Sequence, residues 1–443
     1  MSWTPDQARA LADKILAMSK APACAVALNL RTLGHTRFAA NDVTTAGFSE
    51  NLSITIESID GERSATTTAD TTDETALRGA VARNEAMLAT ARKNPEAVEP
   101  LGPQNYPAIA AFDESTAEAS ATVRSQGVKA ALELARGRDL SASGFFETGA
   151  TWSAIANSKG NFGFHRATSA DYSATMRTQD GTGSGYAAIA APRLAGVDAA
   201  ALAQRAAIKA ETSAKPRDLA PGEYPVILEP QAVADLLGGI VTAFNSRAAD
   251  EGRSYFSKPG GGTRLGEKVF ADSVTLRSDP TDPRVPGSPW PQGLPARKTT
   301  WIENGVVRNL TRDRYWAKKT GREPVPFSGS LILEGGSGSL DELIAQTERA
   351  LLITRFWYIR SVNPREGVVT GLTRDGVWLV EKGKIVHPVN NFRFNDGAIR
   401  LLQNVDAMSA PIPTGAGGSF SGAALLPAIR ARKFLLTSKS DAI

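Results

Sequence analysis

The sequence predicts an α+β protein: an N-terminal mixed α/β region over residues 1–218, with an inner boundary near 95–110, and a β-rich C-terminal domain over 219–443. Three observations lead there. Apolar residues in the first half switch repeatedly between helical spacing and strict alternation. A Pro-rich segment, Pro216 to Pro221, separates the halves. Beyond it, alternating apolar segments outnumber helical ones, the pattern of segregated rather than interleaved elements.

In chain order, Thr4 and Gln7 have capping-box spacing, Pro5 takes the first helical position, and Leu11, Ile15 and Leu16 share one apolar face. Cys24, Val26, Leu28 and Leu30 then alternate, as do Leu52, Ile54 and Ile56, and Thr66 to Thr68 continue a β-prone stretch. A second amphipathic helix starts near Thr72 and runs past Leu77, Val81 and Leu88. Pro95, Pro100, Pro103 and Pro107 form a linker, followed by a helix over about Ser115 to Ala135. Ser141 to Ala191 reads as short strands rich in Ser, Thr, Gly and aromatics, and Asp198 to Ala214 as an alanine-rich helix.

After the boundary, the strand Tyr224 to Leu228 leads into a helix beginning at Pro230. The expected strands are Val274 to Leu276, Thr299 to Asn309, Leu351 to Arg360, Val368 to Leu372, Val377 to Val380 and Ile399 to Gln403, with one helix near Ser339 to Glu348 capped by Ser339. Two long loops interrupt them. Asp279 to Pro295 holds six prolines, which forbid a central strand, and Met408 to Gly422 is dominated by Gly, Ser and Pro.

Composition limits the chemistry. Lys plus Arg is 50 and Asp plus Glu is 46, a net +4 that is too weak a field to argue for nucleic acid. One cysteine, Cys24, excludes an internal disulfide, and three histidines, His35, His165 and His387, are spread too thinly for a histidine-rich metal site. The longest apolar stretch, Ala232 to Phe244, is short for a membrane span and is interrupted by Asp235. The first residues lack a signal-peptide pattern, so a cytoplasmic location is expected. Gly417-Gly418-Ser419-Phe420-Ser421 lacks the final glycine of a nucleophile elbow. The glycine clusters at 181–185 and 260–266 lack P-loop lysine spacing and fit turns better. Arg312, Arg314, Lys318, Lys319 and Arg322 surround Tyr315 and Trp316, but a solvated strand and turn with inward aromatics explains them better than an oligonucleotide surface.

An ordered set of motifs resembles the TldD/PmbA family. It comprises Arg37-Phe38 with Asn41, Asp42 and Thr44-Thr45-Ala46-Gly47, then Asn157-Ser158-Lys159-Gly160, then Gly222 to Leu228, and finally Val368 to Ile385 followed by Pro388-Val389. The resemblance covers essentially the whole chain. It implies a two-protein peptidase in which a TldD-type subunit binds zinc through a His-Glu…His helix and a C-terminal cysteine. The PmbA (TldE)-like subunit lacks that motif and pairs with it. Here the equivalent helix, Ala232 to Asn245, has neither histidine nor glutamate, and the counterpart of the cysteine loop, Met408 to Gly422, has no cysteine.

The resemblance therefore implies a metal-free PmbA/TldE-like subunit, with zinc in a TldD-type partner and unfolded or small modified peptides as substrate. Such peptides can be held by strand addition to a sheet edge. Tyr358, Arg360, Asn363, Asn391 and Arg393 are the candidate peptide-binding residues, an arginine being suited to a peptide carboxylate. No catalytic or metal-binding residue is assigned within this chain. The alternative is a stand-alone peptide- or protein-binding module, alone or as a homodimer. A hydrolase using Ser or Asp/Glu chemistry is a third reading, for which no residue spacing nominates a pair.

Overall fold

The computed structural model describes residues 2–415 and 424–441. The first half runs α1 (Pro5–Met18), β1 (Ala23–Ala39), β2 (Asp42–Asp60), β3 (Arg63–Ala69), α2 (Glu74–Thr90), α3 (Glu114–Ala117), α4 (Ala121–Gly137), β4 (Leu140–Asn157), β5 (Phe162–Thr178), β6 (Ser184–Ala191) and α5 (Ala199–Thr212). The capping box of α1 forms in both directions, with the Gln7 amide donating to Thr4 Oγ1 at 3.2 Å and the Thr4 amide to Gln7 Oε1 at 2.9 Å.

The six strands make one antiparallel sheet in the order β3-β2-β1-β4-β5-β6, so β1–β3 and β4–β6 join across the 95–110 segment. Helices cover one face only. Ala8, Ala12 and Ile15 of α1 and Leu77, Ala80 and Val81 of α2 pack on Val26, Leu28 and Leu30, while α4 and α5 bury the other end against Phe146, Tyr172 and Met176. The opposite face looks toward the C-terminal half.

The segment expected as short strands is instead three long ones, β4 and β5 spanning 18 and 17 residues. Its small residues are not turn signals; they admit close packing. A Cβ at Gly144, inside β4, would sit 2.4 Å from the Phe38 ring and 2.2 Å from the Ser173 carbonyl.

The second half runs β7 (Gly222–Leu228), α6 (Pro230–Ala243), α7 (Ser246–Asp250), β8 (Leu276–Ser278), β9 (Thr299–Glu303), β10 (Val306–Val307), α8 (Arg314–Thr320), β11 (Leu331–Leu333), α9 (Leu340–Ala345), β12 (Arg349–Asn363), β13 (Val368–Glu381), β14 (Lys384–Pro388), β15 (Asn391–Asp396), α10 (Ala398–Gln403), β16 (Val405–Met408), β17 (Ile412–Thr414), β18 (Ala424–Leu426) and β19 (Ile429–Ser440). β10-β9-β8-β11-β18-β17 form one sheet. In the other, β12-β7-β19-β15-β13 closes on itself because β12 also pairs with β13. Helix α6 lies in the shared core: Val233, Leu237, Ile240 and Phe244 are buried among Leu276, Trp301, Ile353 and Phe434.

Two sequence expectations change here. Ile399 to Gln403 is helical, α10, because a short apolar run does not distinguish strand from buried helix. The basic stretch around Tyr315 and Trp316 is also a helix, α8, capped by the Asp313 carboxylate on the Trp316 amide at 2.6 Å. Trp316 is nevertheless buried, its Nε1 donating to Asp250 at 2.7 Å.

The halves dock through specific contacts. Lys209 Nζ reaches Glu229 at 2.7 Å, Arg247 grips Glu96 through two nitrogens at 2.7 and 2.8 Å, and Ser184 donates to Asp375 at 2.6 Å. Trp290 of the proline-rich loop packs edge-on against Tyr106 at 5.6 Å, and Tyr106 donates to the Gly293 carbonyl at 2.9 Å.

Candidate functional site

Helix α6 starts directly after β7, with Pro230 supplying the fixed φ of a first helical residue. Its first two turns carry buried polar groups facing β12. The Glu229 carboxylate receives Lys209 Nζ at 2.7 Å and Thr354 Oγ1 at 3.3 Å. Nearly two turns on, Asp235 accepts the Gln231 side-chain amide at 3.0 Å and the Phe356 backbone amide at 2.8 Å. The second bond has a clear origin. Strand β7 pairs with β12 only as far as Leu228 opposite Ile353, and the Asp235 carboxylate takes up an N–H that β7 no longer reaches. Burial pushes the Asp235 carboxyl up to about 6, opposed by the Arg355 guanidinium.

Alongside this row lies a cleft of about 500 Å³ between α6 and the β12–β13 arm. Asp235, Gly239, Ile240 and Thr242 form one wall; Ile359, Ser361, Val369 and Ile399 form the other. Gly239 leaves it open, since a Cβ there would meet nothing within 4 Å. The cleft is largely apolar, with Asp235 at one end of α6 and Thr242, Arg253 and Ser254 at the other.

A zinc ion does not fit this site. A zinc centre takes at least three protein ligands, whereas α6 offers one carboxylate whose oxygens are both engaged. Among the described residues, no three His, Cys, Asp or Glu side chains come together, and Cys24 is buried in the N-terminal half. The Met408–Gly422 loop is described only to Gly415, so its glycine-rich part, including Gly417 to Ser421, lies outside the described residues.

The arm holds three of the sequence-nominated residues. Tyr358 is 65% exposed with φ +57°, and the Arg360 guanidinium stacks over its ring at 4.4 Å. Asn363 accepts the Arg365 amide at 3.1 Å and shapes the arm's tip. Asn391 and Arg393 lie on β15, on the far side of β13: Arg393 is exposed opposite Leu372, and Asn391 accepts the Thr373 hydroxyl at 2.8 Å. From Trp357 outward, β12 pairs with β13 alone among the described residues, leaving its other edge for a further strand. Gln231 and Asp235 were not nominated. Their signal was a polar pair at helical i, i+4 spacing inside an otherwise apolar helix.

Comparison with known proteins places this architecture. The model of the PmbA/TldA metallopeptidase central domain matches residues 110–214, and that of the family's C-terminal domain matches residues 221–438. The chain belongs to the PmbA/TldD metallopeptidase family. A metalloprotease of Methanothermobacter thermautotrophicus is 28% identical over 172 residues, 35% of this chain and 36% of that protein. A TldD homologue of Buchnera aphidicola is 24% identical over 173 residues, 36% of this chain and 35% of the relative. The chain thus spans just over a third of the curated relatives it matches.

Solved structures extend the likeness in fold to the full length. TldE from Thermococcus kodakarensis has a TM-score of 0.85 at 20% identity, covering 97% of this chain and 99% of that one. A protein of Bacteroides thetaiotaomicron described as a modulator of DNA gyrase gives 0.84 at 19%, covering 98% and 99%. No described helix of this PmbA/TldD-family chain is long and apolar enough to cross a membrane.

Proposed function

We propose that this chain is a metal-free, PmbA/TldE-like subunit of a cytoplasmic TldD–TldE-type metallopeptidase, which presents unfolded or small modified peptides to a zinc-bearing TldD-type partner. The observation that carries the proposal is the α6 cleft. The sequence resemblance makes α6 the counterpart of the family's metal-bearing helix, and α6 carries an open glycine and one fully engaged carboxylate. Beside it runs a strand with an unpaired edge, the feature a substrate held by backbone hydrogen bonds requires. In this reading, Tyr358, Arg360 and Asn363 on the arm, with Asn391 and Arg393 on β15 across β13, contact the peptide. Zinc, and the hydrolysis it supports, belong to the partner.

The test mixes the purified chain with a TldD-type subunit and follows cleavage of a disordered peptide. Cleavage that needs both proteins is expected; equal cleavage by the partner alone would overturn the role. Stoichiometric zinc bound by this chain in isolation would overturn the metal-free reading.

A stand-alone binding module, alone or as a homodimer, is favoured by one observation: Trp357, Tyr358 and Val362 expose apolar surface on one arm. Light scattering of the chain with and without the partner separates the two, a complex with the partner being expected.

A further inference from the structure

Where the arm joins the ring, a cavity of about 520 Å³ opens between the bare face of the N-terminal sheet and strands β12 and β13. Three arginines line it, Arg177 from β5, Arg355 from β12 and Arg374 from β13, against a single carboxylate, Asp375. Asp375 is largely committed already, accepting the Ser184 hydroxyl at 2.6 Å and lying 3.6 Å from Arg355. The register of the two arm arginines is unusual. Arg355 and Arg374 stand directly opposite one another on antiparallel strands, where like charges cost stability. The Arg355 guanidinium lies 3.9 Å from the Tyr186 ring centroid and 4.9 Å from that of Trp357, and Arg374 lies 5.2 Å from Trp357, contacts that offset part of that cost. Arg355 is nine-tenths buried, yet its Nε donor has no hydrogen-bond partner. Ser141 and Ser143 add hydroxyls from the opposing sheet.

We infer that this cavity binds the C-terminal carboxylate of a peptide. The inference rests on the peptide-presenting role proposed above and extends it by giving the bound strand an end and a direction. A carboxylate between Arg355 and Arg374 relieves their repulsion and accepts charge-assisted, fork-shaped hydrogen bonds that a neutral amide cannot match. The position suits a terminus. Trp357 belongs both to the cavity and to the inner end of the unpaired β12 edge, so a strand added along Trp357–Asn363 and ending at the ring delivers its last residue to the arginines. The remaining hydroxyl-rich wall leaves the terminal side chain unspecified, in keeping with a site that reads an end rather than a sequence.

The experiment compares two fluorescein-labelled, unstructured octapeptides of identical sequence, one with a free C-terminal carboxylate and one amidated. Each is titrated with the full chain and with its Arg374→Gln variant, alone and in the presence of the TldD-type partner. The free acid is expected to bind the unaltered chain about tenfold more tightly than the amide, the worth of one good charge-assisted pair. Arg374→Gln should weaken binding of the free acid about tenfold, to the level of the amide, with the melting temperature within a few degrees of the unaltered chain's, so that the lost preference is read in a folded protein. Equal binding of acid and amide to the unaltered chain would overturn the carboxylate site and leave the peptide-presenting role standing. Binding of neither peptide under any condition would overturn both. Inorganic phosphate that binds at this site, and is not displaced by the free-acid peptide, would overturn the assignment to a peptide terminus.

Discussion

Asp235 combines two environments in one side chain: it completes the β12 hydrogen-bond ladder, and it is buried beside the cleft. Its folded-state carboxyl is raised above the ordinary value of 3.8 to about 6, so between those values the folded chain holds a proton that the unfolded chain has lost. Stability therefore falls as pH rises through that window and is level in this contribution above it. An Asp235→Asn variant keeps an acceptor for the Phe356 amide, gains a donor for the unpartnered Gln231 Oε1, and removes the titration. Denaturant unfolding from pH 4 to pH 6 should show the wild type losing about 2 kcal/mol relative to Asp235→Asn. His165 works in the opposite sense. Burial lowers it to about 4, so it contributes stability that is lost as pH falls from 6.5 toward 4. At Gly239, whose helical position faces open space, Gly239→Ala should raise stability by about 0.5–1 kcal/mol in thermal unfolding. Gly239→Phe, by filling the cleft, should abolish any peptide-dependent activity with the partner while leaving the fold intact.

At the scale of elements, locally encoded features were legible. Thr4 and Gln7 announce α1 because a capping box lies entirely within four residues, and Thr4→Ala should cost about 1 kcal/mol by chemical denaturation. Ser339 and Glu342 form another such box at α9. Ile399 to Gln403 was not legible, since five residues cannot reveal a period; its helix follows from packing of Ile399 and Leu402 into the ring's core. The two strands of the β12–β13 arm differ in how they are held. From Trp357 outward β12 pairs with β13 alone among the described residues, whereas Val369 to Leu372 of β13 pair with β15 as well, and Leu351 to Ile353 are held by β7 on one side and β13 on the other. Replacing the arm's tip, residues 364–367, with a two-residue Asn-Gly turn keeps the β13–β15 pairing and should leave the melting temperature within a few degrees while weakening peptide binding, measured by fluorescence anisotropy.

At the scale of the whole molecule, the halves are joined by side chains far apart in sequence, and their strengths differ with burial. Lys209 and Glu229 are both largely buried, so Lys209→Met leaves a buried, uncompensated carboxylate and should cost about 3–5 kcal/mol in equilibrium unfolding. Arg247→Ala at the more exposed Glu96 pair should cost about 1 kcal/mol or less. The fork geometry of that second pair is better than that of the first, and water screening still makes it the weaker link.

By itself the sequence determined the α+β class, the start of most helices, the shortage of His and Cys, and the ordered motifs of the PmbA/TldD family. Each is a matter of composition or of short-range spacing, and none requires knowing which distant residues touch. Only the tertiary structure decided the closed five-strand ring, the open edge of β12, the capture of the Phe356 amide by Asp235 and the opposition of Arg355 and Arg374. Those depend on strand register and on contacts across the two halves, and a register shift of one residue would have turned either arginine to the other face.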